Sequence, residues 1–361
     1  MRATNDGQPI AKASRRDFLR ASTGAAAAAM VGRLAAGPSA LAAANAPGRK
    51  KRFVASRGCP PEIRAALSGP WPSIRTLFTR EGEIDFEALD RHLDFMIEEA
   101  QATAVVLTWG DSLYSLLTDD EIAQVTRAVV RHVDRRALVV AADNAWWTGK
   151  TVQFAEYCVD VGADLLMVMP PDWAHSTTVD SLVAHYAAVA EQIPVMVVTN
   201  YLGKRGEAFG LELIRRLRDE VPGVVALKDD VAGPFARKLC LLAHDRWALS
   251  AGGQKQNHMN MHPYGVGGYL STFMTFKPEI SRRYWDAIQA DDLDRARAVI
   301  RDYDMPLFDY LIASEGSFDA ALHGIYELRG FGHRYRRPPY HSLTDEQMEA
   351  LGEFLRKKHL L

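Results

Sequence analysis

The run Gly223-Val224-Val225-Ala226-Leu227-Lys228-Asp229-Asp230 decides how this chain is read. An apolar stretch leads directly into a lysine, so an amine stands at the last position of what reads as a fully buried strand. A buried ammonium without a partner is costly, and a group so placed tends to give up its proton. The neutral amine that results can form an imine with a carbonyl compound. The other reading is a lysine that has left the strand and snorkels into solvent beside its two aspartates, and the surroundings must choose between them. Strand alternation puts Lys228 on the face shared by Ala226 and Val224, with Asp229 and Leu227 on the other.

Working outward, this run is the sixth of eight short apolar segments: 73–78, 104–108, 137–142, 164–169, 194–199, 224–228, 247–250 and 266–271. Amphipathic helical stretches separate them, among them 86–100, 119–133, 151–161, 179–192, 211–221 and 235–243. Eight strands alternating with helices predict a closed parallel (β/α)8 TIM barrel. The near-continuous Val, Ile, Leu, Met and Ala of the strands fits a sheet covered on both faces. A doubly wound open sheet fits less well, because no Gly-x-Gly-x-x-Gly turn follows the first strand. Further helical stretches at 278–289, 293–315, 318–329 and 344–358 predict a C-terminal helical extension. The expected division is a signal segment at 1–42, a lead-in at 43–68, the barrel at 69–290 and the extension at 291–361.

Chemistry in such barrels sits at the C-terminal ends of the strands. The second apolar run ends in Thr108-Trp109-Gly110-Asp111-Ser112, the third in Asp143-Asn144, the fourth in Pro170-Pro171-Asp172-Trp173 and the fifth in Thr199-Asn200-Tyr201. The sixth ends in Lys228, the seventh in Ala251-Gly252-Gly253-Gln254 and the eighth in Ser271-Thr272. With Lys228 on an inward face, this ring of polar ends favours a reactive lysine over a solvated one. Candidate substrate-binding residues are Thr108, Trp109, Gly110, Asp111, Asn144, Trp173, Asn200, Gly252 and Ser271. Trp109, Trp146, Trp147 and Trp173 all fall at strand ends, where aromatic rings suit stacking on a sugar or an aromatic substrate, or else support loops and a subunit interface.

Composition excludes other classes. A formal net charge of -2 over 361 residues leaves no electrostatic footprint for nucleic acid or an anionic membrane. Cys59, Cys158 and Cys240 are an odd number with no short spacing, which fits neither a disulfide framework nor a zinc site. His258 and His262 stand four apart but lack the acidic residue of a zincin motif, so no metal is expected. At the N-terminus, Ser14-Arg15-Arg16-Asp17-Phe18-Leu19-Arg20 precedes an alanine-rich stretch broken by Gly32, Arg33, Gly37 and Pro38. That is the pattern of a twin-arginine export signal, with Ala40-Leu41-Ala42 offering small residues for cleavage; an uncleaved anchor is the alternative. The expected location is periplasmic or secreted, with the twin-arginine export machinery as a partner.

The residues also carry a family likeness over nearly all of the chain from about Gly69. Gly82-Glu83-Ile84-Asp85-Phe86-Glu87-Ala88-Leu89, Leu107-Thr108-Trp109-Gly110-Asp111, Gly162-Ala163-Asp164 with Pro170-Pro171, Val225-Ala226-Leu227-Lys228-Asp229, and Arg337-Pro338-Pro339-Tyr340 before Leu343-Thr344-Asp345-Glu346 occur in matching order. In these the chain resembles the dihydrodipicolinate synthase and N-acetylneuraminate lyase family of pyruvate-handling class I aldolases. The resemblance implies that Lys228 condenses with a small 2-oxo acid, that Thr108 and amides near Gly110 hold its carboxylate, that no external cofactor is needed, and that the protein forms a dimer or tetramer. Three positions depart from the pattern. Trp109 replaces the second threonine of the Gly-Thr-Thr-Gly-Glu loop, and Asp111 replaces its glutamate. The catalytic tyrosine of the fifth strand is not in place: Val198 or Thr199 stands there, and Tyr201 follows close by. Tyr201 and Thr199 are therefore the candidates for proton transfer beside Lys228. The expected activity is an aldolase or hydratase-aldolase, the latter suggested by the resemblance of Trp173 to a residue of members that handle aryl pyruvates; a dehydratase of a sugar-derived 2-oxo acid and a non-catalytic exported binding protein are the alternatives.

Overall fold

The computed structural model describes residues 58–361. The export signal and most of the lead-in lie outside the described residues. Within them the chain folds as a parallel barrel of eight strands: β1 (Gly69–Trp71), β2 (Ala104–Val106), β3 (Leu138–Ala142), β4 (Leu165–Val168), β5 (Val195–Val198), β6 (Val224–Asp229), β7 (Ala248–Ala251) and β8 (Gly268–Leu270). Each strand hydrogen-bonds its sequence neighbour, β8 returns to β1, and a bridge from Ser73 to Val106 joins β1 to β2.

The first strand starts earlier than the apolar run 73–78 suggests. Gly69 donates to Gly267 and Trp71 accepts from Ser271, so this strand's β8 side is built from residues 69–71. Pro70 and Pro72 have no N–H, and the alternation of a parallel strand turns both empty positions away from β8, toward β2. Pairing to β2 begins only where Pro72 O accepts from Val106 N and Ile74 N donates to Val106 O. Two prolines thus divide one strand into halves serving different neighbours, and they hide it from a periodicity reading.

Helix α1 (Pro61–Ala66) lies in the lead-in and packs across the N-terminal end of the barrel, where Thr103 Oγ1 donates to Ala66 O at 2.8 Å and Arg64 to Trp247 O at 2.9 Å. The barrel helices are α2 (Phe86–Asp94), α3 (Asp119–Val133), α4 (Thr148–Val161), α5 (Val179–Ala190), α6 (Glu207–Glu220), α7 (Gly233–Ala243), α8 (Lys255–Met261) and α9 (Pro278–Gln289). They present apolar stripes to the strands; α2, α3 and α5 start on side-chain caps from Asp85, Thr118 and Thr178, and in α3 Thr118 and Glu121 form a reciprocal capping box. The extension follows as α10 (Leu293–Val299), α11 (Met305–Ala313), α12 (Ser317–Leu328) and α13 (Asp345–Lys357).

Arg337 ties the extension to the mouth of the barrel. Its guanidinium donates to Gly82 O at 2.7 Å, to Leu116 O at 2.9 Å and to both oxygens of Glu121 at 2.9 and 2.6 Å. The hydrogen bonds from Arg337 hold the Glu121 carboxyl down at about 2, so the clamp stays charged at any physiological pH.

One close approach shows how tightly the barrel is closed. A Cβ on Gly268 in β8 would lie 2.0 Å from Leu67 O, a backbone atom at the end of α1. Gly268→Ala therefore forces main chain apart, and a loss of about 1–3 kcal/mol or more is expected in urea unfolding. A stability unchanged within 0.5 kcal/mol, on the order of a neutral surface substitution, would contradict this packing.

Candidate active site

A cavity of about 330 Å³ opens at the C-terminal ends of the strands. Lys228 borders it, only 6 % exposed, at the penultimate position of β6. In register it faces Val198 on β5 and Ser250 on β7. A register shift between Val195 and Met196 inserts an extra residue of β6 into the ladder and brings Val198 opposite Lys228 rather than opposite Leu227.

The amine is not bare. Lys228 Nζ donates to Asp230 Oδ1 in a salt bridge, and Asp230 borders the same cavity. Asp230 returns to the inner side two residues beyond Lys228, while Asp229 turns away: its carboxylate accepts from Thr199 Oγ1 at 2.8 Å and from Ala232 N at 2.8 Å. Thr199 Oγ1 also accepts from Asp230 N at 3.0 Å, so one hydroxyl fixes both aspartates. The expectation of an unpartnered amine driven to lose its proton by burial is corrected by this pair: the counter-charge is supplied by the adjoining loop.

Across the cavity, Thr108, Trp109, Gly110 and Asp111 form a tight turn after β2. Asp111 N donates to Thr108 Oγ1 at 2.9 Å, Thr108 N donates to Ser112 Oγ at 3.0 Å, and Ser112 Oγ donates to Ile74 O at 2.6 Å. Thr108 Oγ1 thus accepts from the turn, leaving its O–H able to donate to a bound carboxylate. Arg75, fully buried behind the turn, reaches Asp111 at 3.2 Å and Asp319 of α12 at 3.6 Å. Burial opposes its charge, but Tyr326, Asp111 and Asp319 outweigh that and hold the guanidinium above its ordinary value. Arg336 closes on Asp319 at 2.6 Å, so the extension braces the turn that faces the lysine.

The remaining candidates divide. Asn200 borders the cavity and donates to Met169 Sδ at 3.3 Å. Tyr201 does not border it; its hydroxyl meets Tyr186 OH at 3.3 Å, and Tyr186 OH bonds Val168 O behind the strands. Thr199 is occupied by the two aspartates. Gly252 makes room rather than contact: a Cβ there would meet Asp230 Oδ1 at 2.0 Å, and the next residue, Gly253, borders the cavity. Ser271 is buried against Ser281 Oγ at 2.7 Å, and Asn144 lies off the cavity wall. Trp173 is 90 % exposed in a loop held by Asp172 and Arg205, while Trp109 alone of the four strand-end tryptophans borders the cavity. His258 and His262 bond Tyr284 OH and Val266 O, and among the described residues no cluster of three or more His, Cys, Asp or Glu could hold a metal ion. The three cysteines are free.

Asp143 is the residue that the sequence reading passed over in favour of Asn144. It borders the cavity, is 1 % exposed, and accepts from Met169 N at 2.9 Å and from Thr151 Oγ1 at 3.2 Å. Burial, only partly offset by those donors, pushes its carboxyl up to about 7.

The sequence profile of the dihydrodipicolinate synthetase family matches residues 66–358. The chain belongs to that family. A 4-hydroxy-tetrahydrodipicolinate synthase of Staphylococcus saprophyticus is 28% identical over 232 residues, covering 63% of this chain and 76% of the relative. A protein of Rhizobium meliloti named probable 5-dehydro-4-deoxyglucarate dehydratase is 24% identical over 297 residues, covering 81% of this chain and 96% of the relative. The crystal structure of dihydrodipicolinate synthase from Oceanobacillus iheyensis superposes with a TM-score of 0.73 at 19% identity, covering 83% of this chain and 99% of that one. The family model and this superposition agree with the TIM barrel expected from the strand count. The protein is thus a member of a lyase and aldolase family, and its eight-stranded barrel is the family's fold.

Asp143 gives a prediction on stability that is independent of catalysis. Its folded-state value lies above the ordinary carboxylate range, so the folded chain holds a proton that the unfolded chain releases. Stability is then unpenalised below about pH 4 and falls as pH rises toward 7, at roughly 1.4 kcal/mol per pKa unit at most. Asp143→Asn, which keeps the shape without the charge, should raise Tm relative to the parent at pH 8 and leave it unchanged at pH 4. Calorimetry at the two pH values reads the difference; an equal effect at both would contradict the buried-carboxyl account.

Proposed function

We propose that the protein is a Schiff-base lyase, of the aldolase or hydratase-aldolase type, that acts on a 2-oxo acid through Lys228. The observation that carries this is the amine at the inner end of β6, paired to Asp230 and facing the Thr108 turn across the cavity. Lys228 Nζ passes a proton to Asp230, and the free amine attacks C2 of the 2-oxo acid. Asp230 returns that proton to the adduct's hydroxyl, which leaves as water, and the protonated imine that remains draws electrons from the neighbouring bond and so lowers the barrier to breaking or making it. The Thr108 hydroxyl and the amides of its turn orient the substrate carboxylate toward the lysine.

The remaining wall indicates the rest of the substrate. Trp109, Met167, Met169, Val198 and Leu270 present apolar surface, with Trp109 half exposed at the mouth. Such a wall favours an apolar or aromatic substituent over a polyhydroxylated chain. The relative named as a dehydratase supports the variant in which the same imine expels water instead. The Arg15-Arg16 pattern supports an exported enzyme, and assembly as a dimer or tetramer belongs to the same proposal.

Incubation with pyruvate, an aryl pyruvate or a sugar-derived 2-oxo acid, each followed by borohydride, should fix a covalent adduct on the Lys228 peptide, seen by mass spectrometry. Lys228→Ala should give none. The aryl pyruvate should label at lower concentration than the sugar-derived acid. Ligand-dependent thermal shifts with no adduct, unchanged in Lys228→Ala, would leave a binding protein instead of an enzyme.

A further inference from the structure

The family's phenol has no counterpart at this cavity. Val198 stands opposite Lys228, and the hydroxyls of Tyr201 and Tyr186 bond each other behind the strands. A group that moves protons at the substrate carbon must border the cavity and be free to change charge. Among the described residues that border it, four side chains titrate: Lys228, Asp111, Asp143 and Asp230. Lys228 forms the imine. Asp230 serves the nitrogen: it carries the Lys228 proton while the imine forms and then stays paired to the cationic nitrogen as its counter-ion. Asp111 is held by buried Arg75. Asp143 is left, and its partners are neutral donors, Met169 N, Thr151 Oγ1 and the Ala145 backbone amide.

We infer that Asp143 is the acid–base residue of the imine reaction, taking the place of the missing tyrosine. The inference rests on the imine reading of Lys228. The Asp143 carboxylate removes a proton from C3 of the protonated imine. The C3–H electron pair becomes the C2=C3 bond, and the C2=N π pair moves to nitrogen, leaving a neutral enamine and a neutral carboxylic acid. When the enamine adds to a carbonyl carbon, the Asp143 proton passes to the new alkoxide oxygen. Cleavage runs the same step backwards, the carboxylate taking the hydroxyl proton as the carbon–carbon bond breaks.

The surroundings suit a group that must be neutral half of the time. Tyr114 on the loop after β2, Cys158 on α4 and Tyr186 on α5 face Asp143 from its packed side, and burial raises all three above their ordinary values, so they stay uncharged. With Lys228 paired to Asp230 and Arg75 to Asp111, no cation among the described residues fixes Asp143 as a carboxylate. Its own upward shift places both forms within reach near neutral pH.

The test uses pyruvate in heavy water. Proton NMR follows exchange of the methyl hydrogens, and borohydride trapping on the same samples measures the imine. The parent protein should exchange the methyl hydrogens, with a rate per trapped imine that rises as pH increases and levels off near 7. Asp143→Asn should trap imine to at least half the parent's extent while exchange per imine falls 100-fold or more. Asp143→Glu should recover part of the exchange. If the parent traps no imine on Lys228, the reading of the lysine fails and this inference with it. If imine is trapped but the parent does not exchange, if its exchange per imine is flat between pH 5.5 and 8.5, or if Asp143→Asn exchanges within threefold of the parent, Asp143 is not the acid–base residue and the lysine reading stands.

Discussion

An ammonium set inside the mouth of a barrel must have a counter-charge, and the rest of this site is arranged to hold one. Asp230 meets Lys228 only because the chain turns back toward the cavity after Asp229. Thr199, just past the end of β5, fixes that turn by bonding the Asp229 carboxylate and the Asp230 amide with one hydroxyl. Gly252 completes the arrangement just past β7, since any side chain there would occupy the space of the Asp230 carboxylate. Three strands therefore cooperate to place one ion pair. Breaking it from one side leaves a buried charge alone, which costs far more than the pair contributes.

The opposite wall obeys the same rule at longer range. The Thr108 turn is held by its own hydrogen bonds, Asp111 N to Thr108 Oγ1 among them, and its Asp111 leans on an arginine that is itself buried. Arg75 can stay charged there because Asp319 comes from the C-terminal extension to share it. The extension is thus part of the support of the site, and Arg337 fastens its far end to Glu121 at the start of α3. The cavity thus lies between a lysine braced by the barrel and a turn braced by the extension.

The fold was legible because eight apolar runs alternate with helical ones, a pattern with few solutions once both faces of each strand are buried. Lys228, Thr108, Trp109, Gly110, Asp111 and Asn200 could be placed at the cavity from strand ends alone. β1 was displaced because prolines at 70 and 72 interrupt its pattern. Asn144 and Ser271 missed the cavity, and Asp143 was overlooked, because alternation stops where a strand ends and the chain there turns to suit its own hydrogen bonds. Asp230 carried a usable signal, two residues from Lys228 and hence on its side; Arg75 carried none, since its partners lie 36 and 244 positions away in sequence, at Asp111 and Asp319. Trp173 shows the limit of residue type as a guide: a strand-end tryptophan can equally stand in solvent.

The central claim is that Lys228 leaves Asp230 to bond a 2-oxo acid. A crystal of the protein soaked in pyruvate tests it most directly. The account predicts continuous density from Lys228 Nζ to C2 of the ligand, with the ligand carboxylate against the Thr108 turn. Pyruvate bound without that bond, or absent from the cavity while Lys228 remains on Asp230, would contradict it.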